Sequence, residues 1–117
     1  MLFLEYPPCT TCKKAKKWLQ DHSLEFTARH IKECSPTAAE LAIWQEKSGL
    51  ELKKFFNTSG LVYKSLGLKD KLPTLSREEQ FQLLASDGML VKRPILVTED
   101  TVLVGFREKD WEKLLQK

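Results

Sequence analysis

Two cysteines near the start of the chain are separated by two residues, in the order Cys9-Thr10-Thr11-Cys12. This spacing allows a disulfide, so that one thiol can attack a substrate and the other can release the product. The attacking sulfur must be a thiolate, an anion that the unpaired N–H groups of a helix N-terminus stabilise. We therefore predict that Cys9 is the nucleophile and that Cys12 is the resolving thiol.

The flanking residues predict a strand and a helix that would position this pair. The apolar run Leu2–Glu5 is typical of a short strand, and Pro7-Pro8 ends it. A helix with one apolar face is predicted from about Thr11 to Asp21. Cys9 would then lie on the loop, with Cys12 one turn further along.

Two alternative roles for the cysteine pair stay open. A structural zinc site needs about four ligands, and only Cys34, His22 and His30 remain as candidates, without metal-binding spacing. We therefore predict no metal. The pair could also lack a function, since three cysteines among 117 residues are ordinary, but its strand–proline–helix context argues against this.

Composition predicts one globular domain over residues 1–117, with 42% hydrophobic and 30% charged residues. The net charge of +3 is spread among interspersed acids and bases, unlike the basic stripe of a nucleic-acid-binding protein. The apolar start is too short for a signal peptide, and no segment reaches membrane-spanning length. We expect a cytoplasmic protein with neither nucleic-acid nor membrane partners.

The centre of the chain predicts a second strand followed by helices. Residues alternate over Glu25–Ile31, as in a strand, and Ser35–Thr37 should begin a helix with Pro36 in its first turn. Ser48-Gly49 should end that helix. Helical patterns continue to about residue 88, including a capping box that starts at Ser76.

The C-terminal part predicts a hairpin and a final helix. Ile95–Thr98 and Val102–Phe106 are the predicted strands, and Trp111, Leu114 and Leu115 should face the core. The complete order is βαβ, a helical insertion over about residues 35–88, then ββα. This is an α/β, thioredoxin-like fold, in which Pro94 would lie opposite the two thiols and could follow a cis peptide bond.

Four segments resemble the arsenate reductase–Spx family: Tyr6–Ala15, Asn57–Tyr63, Asp87–Pro94 and Val104–Phe106. The likeness spans nearly the whole chain and is closest to small bacterial proteins that are similar to arsenate reductases. This family contains both enzymes and transcription regulators. The resemblance implies a thioredoxin-like fold and a catalytic cysteine at Cys9.

The same resemblance implies an oxyanion site beside Cys9. It places the arginine that contacts the oxyanion at Arg93, next to Pro94, and the substrate loop at Thr10 and Thr11. A guanidinium group suits a tetrahedral oxyanion because it can donate two parallel hydrogen bonds.

Several positions depart from the arsenate reductases. Their second arginine aligns with the neutral Asn57, which we expect to bind substrate only weakly. Their third falls near Gly105 or Phe106, with Arg107 displaced. Glu5 replaces a histidine and would oppose thiolate formation if it pointed inward.

We therefore predict a thiol-dependent oxidoreductase that resembles arsenate reductase and acts on a small oxyanion or a disulfide. No bound cofactor is implied, and glutathione or a thioredoxin- or glutaredoxin-type protein would supply electrons. The alternative is an Spx-type redox-sensing regulator, because Cys12 resembles the redox pair whose disulfide controls binding to RNA polymerase.

Overall fold

The computed structural model describes residues 1–115, so the last two residues of the predicted domain lie outside the described residues. Within that range the chain forms four strands and six α-helices. Their order is β1 (Leu2–Glu5), α1 (Thr10–Asp21), β2 (Thr27–His30), α2 (Ala38–Ser48), α3 (Leu61–Ser65), α4 (Leu68–Lys71), α5 (Arg77–Ser86), β3 (Ile95–Val97), β4 (Val102–Val104) and α6 (Glu108–Glu112).

The four strands form one mixed sheet in the order β2-β1-β3-β4. β1 is parallel to β2 and antiparallel to β3, which is antiparallel to β4. The βαβ and ββα halves, and hence the thioredoxin-like fold, are confirmed. β3 and β4 are both shorter than predicted. β3 ends before Thr98 because this residue turns the chain, its hydroxyl oxygen accepting the N–H of Thr101 at 2.9 Å. β4 ends before Gly105 because this residue has a φ of 74°.

The sheet separates two apolar cores, and consecutive residues of β1 enter different ones. Phe3 packs with the face of α1 and with α6, whereas Leu4 packs with the helical insertion. The first core contains Phe3, Ala15, Trp18, Leu19, Leu96 and Trp111, all buried. Both cores anchor β1, whose C-terminal end leads directly to the cysteine pair.

The helical insertion begins with a capping box. The side chain of Thr37 accepts the N–H of Glu40, whose carboxylate accepts the N–H of Thr37 in return. Pro36 therefore lies before the cap, and the prediction that it occupies the first turn was wrong. Gly49 ends α2 in a left-handed conformation with φ 68°, and the capping box at Ser76 is confirmed.

The last helix buries Trp111, as predicted, but leaves Leu115 44% exposed. The prediction that Leu115 faces the core was wrong because the chain tightens into a 3₁₀ turn over Lys113–Leu115. That turn changes the direction in which successive side chains point. No described helix is long and apolar enough to cross a membrane.

Candidate active site

The loop between β1 and α1 holds both cysteines through the backbone of one residue, Tyr6. Its carbonyl accepts the N–H of Cys9 at 2.8 Å, and its N–H donates to the sulfur of Cys12 at 3.5 Å. Cys9 is the N-cap residue of α1 and is partly exposed, whereas Cys12 is buried in the first turn. The helix start therefore presents one accessible thiol and one covered thiol.

The environment of Cys9 favours its thiolate. Partial burial by itself raises the pKa of Cys9. The sulfur also accepts hydrogen bonds from the N–H and thiol of Cys12, the N–H of Thr11 and the Arg93 side chain. These hydrogen bonds outweigh the effect of burial, so the pKa of Cys9 is lowered. These donors belong to the helix N-terminus and to the segment before β3. The fold thus supplies the activation that the sequence predicted for this residue.

Cys12 has the opposite character. Burial, together with hydrogen bonding and charge repulsion from the neighbouring Cys9, raises the pKa of Cys12 to about 12, although the N–H of Tyr6 and the charge of Arg93 act in the opposite direction. Cys12 is therefore a neutral thiol that donates to the Cys9 sulfur. The two cysteines are chemically distinct while both are reduced.

Arg93 lies beside the thiols with part of its guanidinium group unpaired. Its Cζ lies 5.2 Å from the centroid of the Tyr6 ring, and its Nε and Nη1 are buried without a hydrogen-bond partner. Buried donors without a partner are rare in folded proteins, which marks Arg93 as a candidate binding group. The Arg93–Pro94 peptide bond is cis, as the sequence suggested.

Glu5 does point inward, with its side chain only 8% exposed, and it forms an ion pair with Lys16 at 3.1 Å between Oε2 and Nζ. The partner cation compensates the buried carboxylate, so the expected opposition to the Cys9 thiolate is offset locally. Lys16 was not predicted from the sequence to be the partner of Glu5. Its position one turn beyond Cys12 on α1 is the signal that could have identified it.

The other predicted substrate residues do not all line one groove. Thr11 lines an open groove of about 990 Å³ together with Arg93 and the exposed Arg107, and Thr10 is exposed at the start of α1. Asn57 does not line this groove, and its Oδ1 accepts the hydroxyl of Ser59 at 3.3 Å. A direct role of Asn57 in substrate binding stays a prediction.

Cys34 is exposed on the loop after β2, at the opposite edge of the sheet from β4. Arg29 holds this loop, donating from Nε to the carbonyl of Cys34 and pairing with Glu40 at 2.8 Å. Within residues 1–115 no three His, Cys, Asp or Glu side chains are close enough to share a metal ion.

Tyr6 is a residue of the candidate site to which sequence reasoning assigned no role. It contacts Cys9 and Cys12 through its backbone and Arg93 through its ring. Its place directly before Pro7-Pro8, at the end of β1, was the available signal. From the sequence, Tyr6 falls after the predicted strand, in the family-like segment Tyr6–Ala15, but it has no predicted role.

Comparison with known protein families and sequences gives consistent results. A family model described as the ArsC family matches residues 4–114. YusI of Bacillus subtilis is 53% identical over 97% of this chain and 96% of its own length. The regulatory protein MgsR of the same organism is 32% identical over 100% of this chain and 91% of its own length.

Solved structures of ArsC-like proteins are also similar to this chain. An ArsC family related protein from Bacteroides fragilis superposes with a TM-score of 0.94 at 59% identity, over 97% of this chain and 95% of its own. A "possible arsenate reductase" from Streptococcus mutans superposes with a TM-score of 0.87 at 52% identity, over 95% and 96% of the two chains.

Proposed function

Because this chain belongs to the ArsC family, we propose that it is a thiol-dependent oxidoreductase acting on a small oxyanion or a disulfide. The observation that supports this best is the pair of unpartnered, buried nitrogens of Arg93 beside a thiol of lowered pKa. An anionic group that accepts from Arg93 would be held next to the Cys9 sulfur. Binding and nucleophilic attack would then occur at one place.

The first step uses Cys9 alone. With a disulfide substrate, the Cys9 thiolate forms a bond to one sulfur while the substrate S–S bond breaks, and the electron pair leaves with the other sulfur as a thiolate. With arsenate, the Cys9 sulfur bonds to arsenic while an As–O bond breaks, and the departing hydroxide takes a proton from solvent and leaves as water. In both cases the Cys9 sulfur loses its negative charge.

That loss of charge prepares the second step. Cys9 raises the pKa of Cys12 by hydrogen bonding and repulsion only while it is an anion, so the pKa of Cys12 falls once Cys9 is bonded to substrate. Cys12 then loses its proton to solvent and attacks the Cys9 sulfur. The electron pair of the broken bond stays with the substrate, which leaves as a thiolate or as arsenite.

The products of this sequence are a two-electron-reduced substrate and a disulfide between Cys9 and Cys12. An external thiol, either glutathione or a thioredoxin- or glutaredoxin-type protein, must reduce that disulfide for another turnover. No bound cofactor takes part in the proposed cycle. A reducing compartment such as the cytoplasm would supply such donors.

A redox-sensing regulator is the second candidate, and the likeness to MgsR favours it. Other relatives are called global transcriptional regulator Spx, including one from Enterococcus faecalis at 30% identity over 95% of this chain. In this case the Cys9–Cys12 disulfide would be the signal rather than an intermediate. Its formation would change the affinity of the protein for RNA polymerase.

Turnover assays with arsenate and with a small disulfide, each with glutathione, glutaredoxin or thioredoxin as donor, test the enzyme proposal. We expect reduction of the disulfide to be faster than that of arsenate, because Asn57 replaces one expected cation. Cys9→Ser should abolish both activities, and Cys12→Ser should stop the reaction at the covalent adduct of Cys9, visible by mass spectrometry.

The regulator is tested by capture of purified RNA polymerase with the reduced and the diamide-oxidised protein. Tight, redox-dependent capture by a protein that turns over none of the substrates would contradict the enzyme proposal. Turnover that persists in Cys9→Ser would contradict the assignment of the nucleophile. Cys34→Ser is the matched control, because it removes a thiol outside the candidate site.

A further inference from the structure

The open groove beside the active site follows the free edge of β4. Its lining includes every residue from Thr101 to Phe106. Successive residues of a strand point to opposite faces of a sheet, so an unbroken run can line one groove only along an edge. β4 is the terminal strand of the sheet, which agrees with this arrangement.

Two residues of β4 direct their backbone groups outward. The backbone N–H of Gly105 donates to the carbonyl of Pro94 at 2.8 Å, and the backbone N–H of Thr98 donates to the carbonyl of Thr101 at 2.9 Å. These hydrogen-bonded pairs show that Thr101 and Gly105 direct their backbone groups toward the β3 side. Because such pairs alternate along an antiparallel ladder, the N–H and C=O groups of Val102 and Val104 face the groove. Among residues 1–115, no backbone hydrogen bond joins them to another element.

The walls of this groove are strongly cationic. Its lining contains six cations and two carboxylates: Lys53, Lys54, Lys92, Arg93, Arg107 and Lys113 against Glu51 and Asp110. None of these six cations belongs to the ion pairs found within residues 1–115. The groove therefore favours a ligand with several negative charges, and it disfavours the equally cationic edge of a second copy.

We propose that the edge of β4 is a docking strand for an extended, acidic segment of a partner polypeptide. The segment would pair with the outward groups of Val102 and Val104 as an additional strand, while its carboxylates meet the lysines and arginines of the walls. The same groove reaches Thr11 and Arg93, so the docked segment passes beside the active site. The proposal does not depend on thiol chemistry.

A synthetic peptide of nine residues, alternating glutamate with valine or threonine, tests the proposal by titration against the full chain. We expect saturable binding that weakens with salt, and none by the counterpart with lysine in place of glutamate. A version of the acidic peptide that is N-methylated at the residues whose N–H groups would face β4 keeps its charge but cannot donate backbone hydrogen bonds to β4. It should bind about threefold to tenfold more weakly for each hydrogen bond lost.

Two readouts on the protein locate the binding. The amides of Val102 and Val104 should become protected from hydrogen exchange when the peptide is added. The double variant Lys53→Glu/Lys54→Glu should weaken binding roughly tenfold. The variant Lys69→Glu/Lys71→Glu carries the same charge change on α4, outside the groove, and should bind as the parent does.

Four results would overturn the proposal. Absence of saturable binding, or equal binding of the N-methylated peptide, would exclude strand pairing at β4. A single-stranded oligothymidine that binds more tightly than the peptide, and is weakened by the same groove variant, would make this a nucleic-acid site. Protection of Val102 and Val104 in a dimer without peptide would assign the edge to a second copy.

Discussion

The Arg93 guanidinium lies 5.2 Å from the centre of the Tyr6 ring, while the backbone of Tyr6 contacts both Cys9 and Cys12. One residue thus connects the two thiols to the cation beside them. The ring supports Arg93 by a cation–π contact without using its N–H groups. Nε and Nη1 of Arg93 have no hydrogen-bond partner within the described residues.

Removing the Tyr6 ring should weaken anion binding without removing the cation. A cation–π contact contributes about 0.5–2 kcal/mol, so Tyr6→Leu should bind sulfate or arsenate roughly twofold to thirtyfold more weakly by calorimetry. Tyr6→Phe keeps the ring and should bind within about twofold of the parent. Equal loss in Tyr6→Phe and Tyr6→Leu would show that the ring face does not support Arg93.

Arg93 should be the principal anchor of the oxyanion. A charge-assisted hydrogen-bonded contact contributes about 1.5–3 kcal/mol, so Arg93→Ala should weaken arsenate or sulfate binding roughly 10- to 150-fold. Arg107→Ala is the matched control, because Arg107 lines the same groove but is exposed. Arsenate reduction that is unaffected by Arg93→Ala would refute this role.

Cys9 should react before Cys12 in the reduced protein. The pKa of Cys9 is lowered by its hydrogen-bond donors, whereas burial raises the pKa of Cys12 to about 12. Iodoacetamide at about pH 6–7 should therefore label Cys9, with a rate that rises as pH increases through the lowered pKa. Peptide mapping measures this, and preferential labelling of Cys12 would contradict the assignment.

Mild oxidation should produce a disulfide between Cys9 and Cys12 that excludes Cys34. The two residues of the pair share one turn of α1, so ring closure costs little chain entropy, whereas Cys34 lies beyond β2. Diamide treatment followed by non-reducing peptide mass analysis checks this. An intramolecular bridge that contains Cys34 would contradict both the pairing and the placement of its loop.

The stability of the reduced protein should fall above about pH 8.5, where unfolded cysteines ionise. Folding holds the pKa of Cys12 at about 12, so between these values the unfolded state binds fewer protons and the free energy of unfolding falls by about 1.4 kcal/mol per pH unit. Urea titrations between about pH 8 and pH 10 measure the slope. Cys12→Ser should lack this contribution, and equal slopes would contradict it.

The amino-acid sequence alone specified the order of strands and helices, because local patterns indicate each element. The apolar run of β1, the proline pair after it and the amphipathic face of α1 define how Cys9 and Cys12 are presented, because these signals act over a few residues. The order of strands and helices then leaves few ways to form the sheet. The thioredoxin-like topology was predicted correctly for this reason.

Only the tertiary structure decided how distant residues meet at the thiols. Arg93 reaches Cys9 and Tyr6 because β3 pairs with β1 in one particular register, and Lys16 meets Glu5 because α1 packs on one face of β1. Likewise, the open edge of β4 exists because β4 ends the sheet. Burial and electrostatic compensation depend on the completed packing, which no short segment of sequence encodes by itself.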